Sequence, residues 1–274
     1  MTTTLLKHEW LRTRGTLGTV FGVAVLVVVA GGLLGMTGWP LLSGLGFVLS
    51  IGVTLVLVPV VQLGLAVDYW RSGYGRTGYF THSIPVRGST IYWTKLLWAL
   101  AVSLVAVVVT VVLGVVVWWA LARMSELPAP ALDVIGELWA GLNSIAPGWM
   151  IAAGLLLFLA SYLIWPVYYY FSVSVGNESR LSALGVAGPI VVFVLLYVVI
   201  QVLSLAGMFA VPFGIGVDNE QLGFVSFNLV SEMMPESASS GDVMPLGFLL
   251  PMALIAGFCL WRTARSWNRK VSLA

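Results

Sequence analysis

Charge is scarce in this chain: Asp, Glu, Lys and Arg make up 9% of its 274 residues, against about 25% in a typical soluble protein. That shortage excludes a soluble domain with an ordinary charged surface. Cysteine occurs once, as Cys259. No disulfide framework can form, and the residue reads as a small packing side chain within an apolar run. Histidine occurs twice, as His8 and His82, both outside the apolar runs. A His-ligated metal or a Ser–His protease at membrane depth is thereby disfavoured. Lysine occurs three times, as Lys7, Lys95 and Lys270, and none closes a G-x-x-x-x-G-K-[ST] loop, so that device for holding ATP is absent.

What is present is hydrophobicity: apolar residues are 59% of the chain and mean hydropathy is +1.01. Six apolar segments of roughly membrane-spanning length run over residues 17–36, 41–67, 94–119, 148–171, 181–205 and 245–261. With the first connecting segment placed inside, Lys and Arg divide as 12 inside and 1 outside, and Asp and Glu as 3 inside and 8 outside. This is the positive-inside pattern, with both termini cytoplasmic. Trp39, Trp70, Trp118, Trp119, Trp149, Trp261 and Trp267 sit near segment ends, as interfacial anchors do. The predicted fold is all-α: one polytopic transmembrane domain over 1–274, with six transmembrane helices and an N-terminal amphipathic interfacial helix over 1–16. The first segment has a signal-peptide outline, with Val29-Ala30-Gly31 near its end, and reads as a retained anchor.

The connecting segments divide by character. Near the N-terminus, Leu6, Trp10 and Leu17 share one helical face and Lys7, His8, Glu9, Arg12 and Arg14 lie mostly elsewhere, as in a helix lying in the inner headgroup layer. The 68–93 loop is cytoplasmic and rich in Gly and aromatics. Pro85 disfavours helical geometry at Ile84, so Tyr74 to Ser83 is expected to form a separate short helix. Its aromatics Tyr74, Tyr79 and Phe80 would pack on the chain's own spans, rest on headgroups, or fill a groove on a partner. The outer 121–147 segment has room for a short helix. The outer 206–244 segment holds five acids and no base, with apolar pairs that point to partial return onto the outer membrane face. Asn177-Glu178-Ser179 matches a glycosylation sequon, but on the cytoplasmic side it reads as chance.

The deepest polar groups are Gln62, Gln201, Ser103, Thr110, Ser161 and Ser204. Each suits helix–helix hydrogen bonding, and Gln62 and Gln201 could also line a substrate path. Glycines at 31, 32, 35, 44, 46, 185 and 188 permit close helix approach, either within one subunit or between two.

Residues 78–97 read Gly-Tyr-Phe-Thr-His-Ser-Ile-Pro-Val-Arg-Gly-Ser-Thr-Ile-Tyr-Trp-Thr-Lys-Leu-Leu. Ser83-Ile84-Pro85-Val86, Ile91 and Lys95-Leu96-Leu97 resemble the signature region of ABC transporter type-2 permeases, where a short helix runs into a Ser/Thr-Leu-Pro-Val turn. The layout of the whole chain is similar to that family as well. Where many members carry Glu-Arg-Glu-x-Gly-Thr, this chain has Arg71-Ser72-Gly73-Tyr74-Gly75-Arg76-Thr77. The resemblance implies a permease subunit of an ABC exporter in a bacterial cytoplasmic membrane, with no ATPase site of its own. ATP and Mg would be bound by cytoplasmic ABC ATPase subunits, and a second permease, the same or homologous, would complete the path. It further implies that Tyr74, Tyr79, Phe80, Thr81, His82, Ser83, Ile84, Pro85, Val86 and Arg87 form a coupling helix and turn contacting the ATPase. Glu178 and Arg180, in the shorter inner loop, would make a second contact. The shortage of charge at membrane depth favours an apolar or amphipathic cargo (lipid, drug or peptide) and gives no reason to invoke nucleic acid. Two other classes stay open: an ATP-independent secondary transporter, and a non-transporting regulatory or immunity partner in the membrane.

Overall fold

The computed structural model describes residues 2–37, 39–75, 78–83, 85–124, 131–178, 181–218, 221–228 and 243–269. Helices dominate. Five described stretches are long and apolar enough to cross a membrane: Thr2–Gly35, Pro40–Gly73, Gly88–Ala122, Gly148–Gly176 and Ala187–Ala210. The chain has the make-up of a helical multi-pass membrane protein. It divides into two compact units, one over residues 1–138 and the other over 139–272.

The first unit is built on α1 (Thr2–Gly35), α2 (Pro40–Gly73) and α4 (Gly88–Met124), packed pairwise, with the five-residue α3 (Gly78–His82) against α2. The N-terminal residues form no helix of their own. Residues 2–16 continue into the first span as one helix of 34 residues, about 51 Å long. No proline interrupts α1. The inward face of its first turns also departs from expectation. Glu9 and Thr13 are buried while Trp10 is exposed. Leu6 and Leu17 are half-buried and Trp10 meets Trp98 of α4 edge-on, ring centroids 5.8 Å apart, so the apolar stripe lies beside the polar side chains that take the interior.

Pro40 opens α2 at its first turn, where the missing N–H costs nothing. Gly31 and Gly46 let α1 and α2 touch through their backbones. A methyl added at Gly31 would overlap Ser50 and the Gly46 carbonyl, and one at Gly46 would overlap the Gly31 carbonyl. Ser50 Oγ lies 2.9 Å from Gly46 O and 3.2 Å from Val28 O on α1, tying the two helices at this crossing. These glycines therefore serve packing within the subunit.

The second unit holds α6 (Gly148–Leu163), α7 (Trp165–Gly176), α8 (Ala187–Ala210) and α9 (Leu249–Arg269). The predicted fourth span is two helices, divided at Ile164. Pro166 supplies no N–H to a continuing ladder, and the Val167 N–H turns back to Ile164 O at 3.0 Å. α7, α8 and α9 pack on one another, while α6 buries only Met150. Gly176 meets Gly188 and Pro189 where α7 and α8 approach most closely. α5 (Ala131–Ile145) supplies the short helix expected in the 121–147 segment.

The 206–244 segment departs from an all-α fold. β1 (Phe213–Asp218) pairs antiparallel with β2 (Gln221–Ser226) and with the two-residue β3 (Met244–Pro245), giving the order β2-β1-β3. Phe213, Ile215 and Val217 alternate with Gly214, Gly216 and Asp218 along β1, the period of a strand with one apolar face. α9 begins only after β3 and continues through Arg262 and Arg265 to Arg269, beyond the predicted sixth segment. That basic end keeps it outside the group of five strongly apolar helices.

Candidate functional site

The α2–α4 connection is organised by a polar network at its base. Lys95 opens the apolar part of α4 and is 2% exposed. Its Nζ donates to Glu9 Oε1 on α1 at 2.8 Å and to Ser72 Oγ on α2 at 3.0 Å. Arg12 binds Asp68 through Nε to Oδ1 at 3.1 Å and Nη2 to Oδ2 at 2.5 Å, and also pairs with Glu9. The Trp98 indole N–H donates to Thr13 Oγ1 at 3.1 Å, and Thr13 donates to Glu9 O at 2.8 Å. Three long helices are thus cross-linked through two carboxylates, a guanidinium and an ammonium.

α3 hangs from this base. The Thr81 hydroxyl donates to Ser72 O at 2.7 Å, so the residue that accepts from Lys95 through its side chain also holds α3 through its carbonyl. Ser83 closes the helix, its N–H donating to Tyr79 O and its hydroxyl to Phe80 O. The Arg87 carbonyl then accepts from the Thr90 and Ile91 N–H groups and starts α4. Tyr79 and Phe80 project outward, 70% and 74% exposed.

The predicted docking residues separate by position. Thr81 anchors α3, Ser83 caps it, and Tyr79, Phe80, Pro85 and Arg87 are exposed while Val86 is half-buried. Tyr74 is not on the short helix. It caps the end of α2, buried and edge-on to Tyr69 with ring centroids 6.1 Å apart. The reason is that α2 runs on to Gly73 and α3 begins only at Gly78. His82 ends α3, but its side chain lies outside the described residues, as do Ile84 and Arg180.

Glu178 is held within its own unit. Its carboxylate accepts from Arg262 Nη2 at 2.7 Å and from Ser266 Oγ at 2.9 Å, fastening the end of α7 to α9. Gln62 is buried in α2, whereas Gln201 is exposed on α8 and donates to Tyr197 OH at 3.1 Å in the same helix. The two glutamines belong to different compact units. Between α1 and α2, at the depth of their apolar segments, lies a cleft of about 680 Å³ walled by Val20, Val23, Val48, Val53, Val56 and Val60.

Sequence reasoning treated Lys95 only as part of a motif and did not see the network around it. Glu9, Asp68 and Glu178, the three acids that the charge pattern groups with most of the basic residues, are each ion-paired. Among the described residues no group of three or more His, Cys, Asp or Glu could hold a metal ion. No protein-family model, curated protein or solved structure matches the chain.

Proposed function

We propose that this chain is the transmembrane permease subunit of an ATP-driven ABC exporter, moving an apolar or amphipathic substrate across a bacterial cytoplasmic membrane. In this reading α9 supplies a sixth span, both termini are cytoplasmic, and α3 is the coupling helix. ATPase subunits supplied in trans bind ATP and Mg and dock on α3, and a second permease subunit completes the path. The observation that carries the proposal is the pair Tyr79 and Phe80, exposed on a short helix whose root is fixed to α1, α2 and α4. An apolar pair so exposed makes little packing contact with the described residues of its own chain, and an anchored root is what a push from a partner needs. The valine-walled cleft between α1 and α2 supports an apolar cargo, since it offers lipid-like walls and no charge.

Affinity purification of the intact membrane complex tests the class, with a co-purifying Walker-motif ATPase as the expected result. Phe80→Ala tests the site. Interface anchors of this kind cost about 2 kcal/mol or more on truncation, roughly a thirtyfold loss of affinity, with the amount of protein in the membrane unchanged. A Phe80→Ala protein that assembles with its ATPase and transports at the wild-type rate would rule out the docking role of α3. A complex that forms but whose ATPase turnover is indifferent to any apolar substrate would favour the regulatory reading instead.

A further inference from the structure

α5 presents a face that neither the docking site nor the transport path uses. Ile135, Leu138, Trp139, Leu142 and Ile145 recur at helical spacing on one side, each between 36% and 63% exposed. Asp133, Glu137 and Ser144 fall on the opposite side. A helix of 15 residues is about 22 Å long, short of the roughly 30 Å hydrocarbon core, so it cannot cross the bilayer. Its position is fixed at one end: α5 finishes at Ile145 and α6, an apolar spanning helix, starts at Gly148. Three residue steps reach no more than about 10 Å, so whatever covers the apolar face lies at the membrane boundary. Trp139 on that face and Trp149 at the start of α6 are both exposed indoles, the side chain that prefers the headgroup level. The polar side carries acids and no base, which argues against an anionic protein surface as the occupant.

We infer that α5 lies flat in the headgroup–acyl boundary of the outer leaflet, with its apolar face immersed in lipid. The leaflet assignment rests on the six-span orientation proposed above; the immersion itself does not. The full-length protein in phosphatidylcholine proteoliposomes provides the test, with single spin labels at Leu138→Cys, Leu142→Cys, Glu137→Cys and Ser144→Cys. Cys259 is buried, and unsubstituted protein serves as the labelling blank. Collision with oxygen should exceed collision with a water-soluble nickel chelate severalfold at 138 and 142, and the order should reverse at 137 and 144. Access of the chelate to all four positions places the face in water and overturns the inference. Exclusion of both reagents at 138 and 142 overturns it equally, because protein (a second copy or another part of this chain) then covers the face. An impermeant thiol reagent on intact cells separates the two readings. It should label Glu137→Cys, and labelling only in broken cells sinks the outer-leaflet assignment and the topology together, leaving the collision pattern to decide immersion alone.

Discussion

Lys95→Met removes a charge that the fold has few means of replacing. The lysine side chain is 2% exposed and that of Glu9 11%, so neither charge of this pair is satisfied by water. Without the ammonium, Glu9 keeps Arg12 but loses its contact at 2.8 Å, and Ser72 loses its donor at 3.0 Å. Breaking a buried ion pair from one side costs about 3–5 kcal/mol, and the remaining Arg12 puts the expected loss near the lower figure. The adjoining Arg12–Asp68 pair is 34% and 30% exposed. Asp68→Asn should therefore cost about 1 kcal/mol or less. The double replacement Lys95→Met with Glu9→Met removes both charges, and an apolar pair in a buried site is often neutral against the ion pair it replaces. It should recover most of the loss. Thermal unfolding of the purified protein in detergent, paired with a denaturant titration, ranks the three variants. The reasoning is refuted if Lys95→Met is no less stable than Asp68→Asn, or if the double variant is no better than the single.

Two further outcomes follow from geometry. Gly46→Val drives a branched side chain into the Gly31 carbonyl and Leu34 and should cost about 1–3 kcal/mol or more, whereas Gly44→Val meets open space and should leave the melting midpoint in place. For orientation, a cysteine at Arg87, exposed beside α3, should resist an impermeant thiol reagent in intact cells, and one at Ser226, exposed at the end of β2, should react; labelling of position 87 from outside removes the inner placement of α3.

The long apolar helices were legible because charge is excluded from hydrocarbon, and five of the six expected segments largely overlap them, although the fifth begins at Ala187 rather than 181, after a separate short turn over Ser182–Leu184. Helix extents were not, because a hydropathy window closes where the bilayer ends and a helix closes where its backbone ladder is interrupted. α1 and α2 accordingly run well past their apolar parts. The break at Ile164 was written in Trp165-Pro166, but proline inside a membrane segment does not by itself say whether the ladder is restored. The strands were also there to be read, in the alternation of Phe213, Ile215 and Val217 with glycine or acid. Their setting in a long segment between apolar runs hid a period that spans only six residues. At the site, a short aromatic helix before a proline was recognisable, but not that Tyr79 and Phe80 would be exposed on it. The network beneath them was not, since Glu9, Asp68 and Lys95 are far apart in sequence and nothing local marks them as neighbours.

The pairing of Glu9, Asp68 and Glu178 also shapes the field that an approaching partner meets. Each of these carboxylates is cancelled at contact distance by Arg12, Lys95 or Arg262. In the proposed orientation the far field of the inner face is left to unbalanced basic residues, among them Arg87 beside α3 and Arg265 near the end of α9. A partner with an acidic approach surface would be steered toward α3 from within about one Debye length, about 30 Å at 0.01 M salt, and that reach would shrink as salt is added. Under the proposed docking role, the aromatic pair would govern how long such a complex lasts and the charge pattern how fast it forms.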